Sequence, residues 1–199
     1  MNNSALQRLA HKAGATRVSS DVYDTLRSTG EKYLTSVVKY AIIYCEHENK
    51  KVVSEDHAIH GIEHVGFSGM YRVSGTVKTC KVSTKKKLIT RIKEYQNQHD
   101  CVTLAKATIE HQIKTIGSGF KWSKEALINI HFALEYVLYQ LLFSALKVTV
   151  NAKRITMLDS DVDLTIDLIT TNCKNILLKS ESDRKLPILK SYKKFFYRL

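Results

Sequence analysis

The sequence predicts an all-α protein made of two copies of one short–long–short helical unit, each covering the other's apolar face. Three observations lead there. The first is a repeated loop pattern. Thr16-Arg17-Val18-Ser19 opens a long helical stretch that closes at Lys50-Lys51-Val52-Val53-Ser54. Phe120-Lys121-Trp122-Ser123 opens another, which closes at Lys153-Arg154-Ile155-Thr156. The spacings, 34 residues from Val18 to Val52 and 33 from Trp122 to Ile155, mark a duplicated supersecondary unit. The second is that 199 residues hold one proline, Pro187, and only eight glycines, which suits long uninterrupted helices. The third is that a unit of roughly 65 residues with one long apolar stripe cannot bury that stripe alone. Two such units can cross their long helices and cover each other.

Residues 5–13 read as a short helix with Leu6, Leu9 and Ala10 on one face, stopped by Gly14. Ser19 is placed to cap the next helix. There Val22, Leu26, Tyr33, Leu34, Val37, Val38, Ala41 and Tyr44 recur at three- and four-residue steps, the stripe of a helix of about eight turns. Ser54 is placed to cap a third, short helix with Ala58, Ile59 and Ile62 inward and Gly66 after it. The Gly-, Ser-, Thr- and Lys-rich stretch from Gly66 to Lys87 reads as a linker, and a helix follows at Leu88–Tyr95. The second unit then repeats the first: a helix near Val102 to Ile116, a Gly117-Ser118-Gly119 break, a long helix from Ser123 to about Asn151, and a short one from about Asp159 to Thr170. Phe132, Tyr136, Tyr139 and Phe143 have helical spacing and are assigned to the core. The division expected is 1–66, first unit; 67–87, basic linker; 88–172, second unit with an extra N-terminal helix; 173–199, basic tail. A 21-residue linker reaches at most roughly 70 Å and averages about 25 Å as a coil. Tethering makes the pairing intramolecular, at an effective concentration on the order of millimolar.

Net charge is +12, and its placement is informative. Residues 1–66 carry 8 basic and 8 acidic side chains, and residues 88–172 carry 9 of each. The excess lies in 67–87, with 6 basic and none acidic, and in 173–199, with 8 basic and 2 acidic. Such segments call for a polyanionic partner and salt-sensitive attraction. Cys45, Cys80, Cys101 and Cys173 form no close pair in sequence, so four reduced thiols are expected, with neither a disulfide framework nor a zinc site. No apolar run follows Met1–Ser4, so no secretory leader is expected. The apolar stretch Ala126–Val150 is interrupted by His131, Glu135, Gln140 and Lys147, which favours a buried helix over a membrane span. No nucleophile elbow, Gly-rich phosphate loop or paired-carboxylate site stands out, and an enzyme is not expected.

The segment Arg8 to Ser19 with Val22-Tyr23, Tyr44-Cys45-Glu46-His47 and Lys50 to Ser54 resembles the H-four type of core histone. Ile92-Lys93-Glu94-Tyr95-Gln96, Ala152 to Met157 and Asp161 resemble the H-three type. Over residues 5–66 and 88–172 the chain is thus similar to the fused histone doublets of giant DNA viruses. The resemblance implies two histone folds paired in an intramolecular handshake. It also implies departures: no long basic N-terminal tail, a linker with Lys78, Lys81, Lys85, Lys86 and Lys87 in place of the H-three tail, Lys121 where a loop arginine is expected, and His57 where the third helix has an acid. The adjacent Asp56 is then the group that could replace that acid opposite Lys50, while Arg154 and Asp161 keep the corresponding pair in the second unit.

For function, the resemblance implies a structural DNA-packaging protein acting as a tethered heterodimer in a nucleosome-like particle. Arg17 is the candidate for minor-groove insertion, the mode for which the histone octamer is the standard example. Lys121 is its counterpart, and Lys50, Lys51, Lys153 and Arg154 lie in the second loops, facing phosphates. Tyr44, His47 and His60 fall where the H-four type meets another histone. Val148, Asn151 and Asp161 fall on the surface through which the second unit meets a second copy. Expected partners are double-stranded DNA, a second copy of the chain and a flanking pair or doublet of the other core types, in a virion, viral factory or host nucleus. No cofactor or metal is expected; His57, His60 and His64 with Cys45 are the nearest approach to a zinc set. Two alternatives stand beside this reading: a regulatory histone-fold module in a transcription or chromosome-segregation complex, and membrane-surface attachment through Lys190–Leu199.

Overall fold

The computed structural model describes residues 1–66, 78–80, 82–98 and 101–179, with side chains as far as Ile169. In chain order the elements are α1 (Asn3–Ala13), β1 (Arg17–Val18), α2 (Ser20–His47), β2 (Val52–Val53), α3 (Glu55–His64), β3 (Lys78–Thr79), α4 (Leu88–Gln96), β4 (Cys101–Val102), α5 (Lys106–Ile116), β5 (Lys121–Trp122), α6 (Lys124–Asn151), β6 (Thr156–Met157) and α7 (Asp159–Lys179). Two short–long–short units, α1–α2–α3 and α5–α6–α7, pack on each other, so the all-α class and the pairing expected from the sequence both hold.

The strands fix how they pair. β1, before α2, runs parallel to β6, after α6; β2, after α2, runs parallel to β5, before α6. The start of each long helix therefore lies beside the end of the other, and the two helices, 28 residues each and about 42 Å long, cross antiparallel. They cross near Gly30, where an added Cβ would lie 3.4 Å from Leu138 and 3.5 Å from Leu134. The core forms here: Val22, Leu26, Leu34, Val37 and Val38 of α2 pack with Ile130, Leu134, Leu138 and Leu142 of α6, and with Leu6 and Leu9 of α1 and Ile109 and Ile113 of α5. α6 is the one helix among the described residues that is long and apolar enough to cross a membrane, but 67% of its apolar window is buried inside the protein. That is the signature of a core helix.

The stop signals follow the sequence. Gly14 ends α1 with φ 102°, a left-handed conformation that spares glycine the Cβ clash. The ends of the two long helices are superposable in their bonding. Lys50 N–H donates to Cys45 O and Arg154 N–H to Thr149 O, with Asn49 and Lys153 left-handed at φ 55° and 56°. Ser123 caps α6 by accepting from Ala126 N–H at 3.1 Å. Ser19 does not cap α2 through its side chain; its N–H is spent on Met157 O at 3.0 Å, in the β1–β6 junction. α3 lies close on α2, since a Cβ at Gly61 would come within 2.8 Å of Val37 O.

Several expectations are corrected. The helix expected from Val102 begins at Lys106, because Cys101–Val102 is a strand parallel to Lys78–Thr79. The end of the expected linker is thus docked on the second unit. Cys80 and Cys101 are joined in a disulfide, with Cα atoms 5.1 Å apart, so the four reduced thiols expected do not hold; Cys45 is free and buried. Sequence distance hid the pair, because only β3–β4 pairing brings the two cysteines together. α7 runs to Lys179, past the Thr170 expected, and so into the segment 173–199; the remainder of that tail, with its aromatic end, lies outside the described residues, as does Lys81. Phe132, Tyr136, Tyr139 and Phe143 are half-buried, with Tyr139 and Phe143 packed against the core.

The units are joined through one buried polar hub. Glu135 of α6 accepts the N–H groups of Thr103 at 2.7 Å and Leu104 at 3.1 Å, and pairs with Lys12 of α1 at 3.3 Å. Lys12 also donates to Cys101 O at 2.9 Å. A carboxylate in this apolar setting is tolerable only because every contact it makes is a donor.

Candidate nucleic-acid interface

Two loop junctions, one at each end of the crossed helices, collect the cations singled out in the sequence. At the first, Arg17 is in register with Thr156 and Val18 with Met157. That brings Arg17 beside the loop holding Lys153 and Arg154. At the second, Val52 is in register with Lys121 and Val53 with Trp122, and Lys121 N–H donates to Lys51 O at 3.0 Å. Lys50, Lys51 and Lys121 therefore share one loop pair. Trp122 locks this junction: its indole lies against Gly117, where a Cβ would come 2.5 Å from the ring.

The cations differ in freedom. Arg17, Lys51, Lys121 and Lys153 are exposed. Arg154 is half-buried and its Nη2 donates to Asp161. Lys50 lies 2.6 Å from Glu48 Oε2, and that partner raises its pKa. Hydrogen bonds from Lys50 and then from His57 pull the Glu48 carboxyl down to about 2. The loop-to-helix contact in the first unit thus runs mainly through Glu48, with Asp56 adding an electrostatic attraction on Lys50. His57 is buried, its Nδ1 accepts from Ser54 N–H at 3.1 Å, and its Nε2 lies 2.9 Å from Glu48. An accepting Nδ1 requires the proton on Nε2, which then donates to the carboxylate.

Asp161 does in the second unit what His57 does in the first. It reaches back to the residue three before it, accepting Leu158 N–H at 3.0 Å, and also accepts Thr149 Oγ1 at 2.8 Å. Burial acts to raise its pKa, but the hydrogen bonds from Leu158, Arg154 and Thr149 hold it below the usual value. Asp161 is only 2% exposed. Its acceptors are used inside the chain, so it is corrected from a partner contact to an internal clamp on the Arg154 loop.

The other interface candidates lie on two surfaces. Tyr44 is half-buried with its ring 5.2 Å from that of the exposed His60, and His47 is exposed at the end of α2. The His64 ring lies tilted against that of Tyr40, with centroids 3.9 Å apart. Among the described residues no group of three His, Cys, Asp or Glu side chains could hold a metal ion; His57 is committed to Glu48, and His60 and His64 to tyrosines. On the second surface Val148 is half-buried and Asn151 exposed. Around them the structure adds what the sequence reading missed: Val150, Ile155, Leu158, Leu164 and Leu168 are all exposed, Ile155 at 71%. The signal was present, because apolar residues at Leu164 and Leu168 are one turn apart on the helix face opposite Val162 and Thr165. Glu135 was legible too, as the lone carboxylate in the run Ala126–Val150.

Comparison with known proteins agrees with this geometry. The family model for histone-like transcription factors (CBF/NF-Y) and archaeal histones matches residues 4–61. The chain is 34% identical over 62 residues to the major histone H4 of Tetrahymena pyriformis and to histone H4 of Tetrahymena thermophila. Each match covers 31% of this chain, which spans 60% of the length of those relatives. Among solved structures, the histone from Methanopyrus kandleri is similar over 83% of this chain and 93% of that one, with a TM-score of 0.52 and 17% identity, which speaks to fold alone. With long helices crossed antiparallel and loops paired in parallel at both ends, the chain has the histone fold.

Proposed function

We propose that this chain packages DNA, its two units acting as a tethered heterodimer of an H-four-type and an H-three-type histone fold within a nucleosome-like particle. The observation that carries the reading is the loop pairing: each end of the crossed helices gathers cations from both units, Arg17 with Lys153 and Arg154, and Lys50 and Lys51 with Lys121. Two cationic junctions separated by a long-helix pair suit successive contacts with a bent phosphate backbone. Binding of this kind neutralises phosphates and reads little sequence. The division into 1–66, 67–87, 88–172 and 173–199 belongs to the same proposal.

The apolar surface around Val148 and Asn151 is the site at which a second copy would dock, and the Tyr44, His47 and His60 surface is where a second histone pair or doublet would dock. The particle would be intracellular and DNA-associated, in a virion, viral factory or nucleus. Reconstitution on DNA with partner histones, followed by nuclease digestion, tests the reading. The expected result is protected fragments of regular length, with Arg17→Ala reducing protection several-fold while leaving the unfolding midpoint unchanged. Full protection by Arg17→Ala would remove that residue from the interface, and no regular fragment at all would end the packaging reading. A second reading is favoured by the description of the matching family, which includes histone-like transcription factors. On that reading the chain is a regulatory module, and it would bind a protein complex tightly without protecting DNA.

A further inference from the structure

We propose that the Cys80–Cys101 bond is a thiol–disulfide latch, which fixes the end of the connector and α4 against the first unit when oxidised and releases them when reduced. Cys80 and Cys101 are buried and cluster with Tyr95 and Val82. Cys80 N–H donates to Val102 O at 2.8 Å, continuing the β3–β4 pairing. β4 itself is anchored, because Cys101 O accepts from Lys12 of α1 and the next two N–H groups bond Glu135 of α6. The disulfide therefore ties the connector to a point already held by both units.

Besides the bond, the segment is held by α4 packing on α1, with Tyr95 beside His11 at 6.5 Å, and by the short β3–β4 pairing. β3 is two residues long, and both Lys78 and Thr79 are exposed. A pairing that short is not stable alone in water. α4 lies between the two cysteines in sequence, which are 21 residues apart, and buries only Ile92 and Tyr95. A nine-residue helix depends on its packing for its existence. With the bond made, α4 is a closed loop pinned at both ends. The connection between the units then runs from Gly66 to Lys78; without the bond it runs to Leu88.

The exchange balances with a small thiol of the glutathione class. Its thiolate attacks one sulfur of the pair, forming a mixed disulfide and expelling the other cysteine as a thiolate, which takes up a proton. A second small thiol cleaves the mixed disulfide, leaving two cysteine thiols and one small-molecule disulfide. Oxidised glutathione drives the reverse. Both sulfurs are shielded, so β3 must lift first, and a two-residue strand makes that a local opening.

This latch is independent of DNA binding, and its test needs no DNA. The full chain is equilibrated in glutathione buffers of defined ratio, denatured, alkylated and weighed. Two alkyl groups are expected in oxidising buffer, on Cys45 and Cys173, and four in reducing buffer; four in both would overturn the proposal. Hydrogen exchange on the native chain should show α4 amides exchanging about tenfold faster or more after reduction, with α2 and α6 protection unchanged as the measure of folding. Equal α4 protection in both buffers would overturn the latch even if the bond forms. Cys80→Ser should show the reduced pattern in either buffer, and Cys45→Ser should respond as the unaltered chain does. A Cys80→Ser chain whose α4 still responds to glutathione would refute the assignment.

Discussion

At Lys153 the backbone turns through φ 56°, a conformation that costs a residue with a Cβ about 1 kcal/mol relative to glycine. Asn49 occupies the same position in the first unit, and asparagine tolerates it better. Lys153→Gly should therefore raise stability by no more than about 0.5 kcal/mol in urea titration, once the flexibility glycine adds to the unfolded chain is discounted. It should weaken DNA binding at the same time, since it removes a junction cation. His131 carries a different penalty. It is 2% exposed with Nε2 unbonded, and burial together with the charge of Lys106 pushes its pKa down to about 4. Its folded pKa lies below the unfolded value of 6.5, so its neutral form is at no disadvantage above pH 6.5. As pH falls from 6.5 to 4 the unfolded chain gains a proton that the folded chain refuses. Stability should drop by about 3 kcal/mol across that window, and His131→Leu should flatten the slope in acid-titrated denaturation.

Among the elements, the segment between α4 and α5 has the most depending on it. Thr103 and Leu104 give their N–H groups to Glu135, which also faces Lys12, so α1, α6 and the start of α5 meet on one carboxylate. Glu135→Ala leaves two buried N–H groups without an acceptor and a shielded ammonium without its counter-charge. The expected loss is about 3–5 kcal/mol by denaturant midpoint. Glu135→Gln keeps an acceptor for the N–H groups and should lose less. At the other end of the short helices, α3 and α7 are tied to the loops by an equivalent device built from different residues. Ser54 N–H is met by His57, and Leu158 N–H by Asp161. The first unit then needs Glu48 to complete the link to Lys50, whereas the second uses Arg154–Asp161 directly.

For the whole molecule, the two junctions offer six candidate cations: Arg17, Lys50, Lys51, Lys121, Lys153 and Arg154. If about six phosphates are neutralised, the logarithm of affinity should fall with the logarithm of salt at a slope of about −5, a loss of about 10³-fold between 50 and 200 mM. Fluorescence anisotropy on a short duplex measures it, and a flat response would exclude backbone neutralisation as the source of affinity. Lys50 and Arg154 already face carboxylates, so a slope shallower than −5 would indicate that those two pairs persist on DNA.

The sequence by itself determined the class of fold, the two long helices and the loops between them, because apolar spacing, glycine stops and loop cations are local properties of the chain. That the two long helices cross could be inferred too, since neither unit can bury its own stripe. Only the tertiary structure decided which partner each polar group has. Glu48 replaces the acid missing at His57, Asp161 turns inward, Glu135 becomes the hub between units, and Cys80 meets Cys101 across 21 residues of chain. The physical reason is common to all four: burial, hydrogen bonding and covalent closure depend on where distant segments come to rest, and periodicity along a helix carries no record of that.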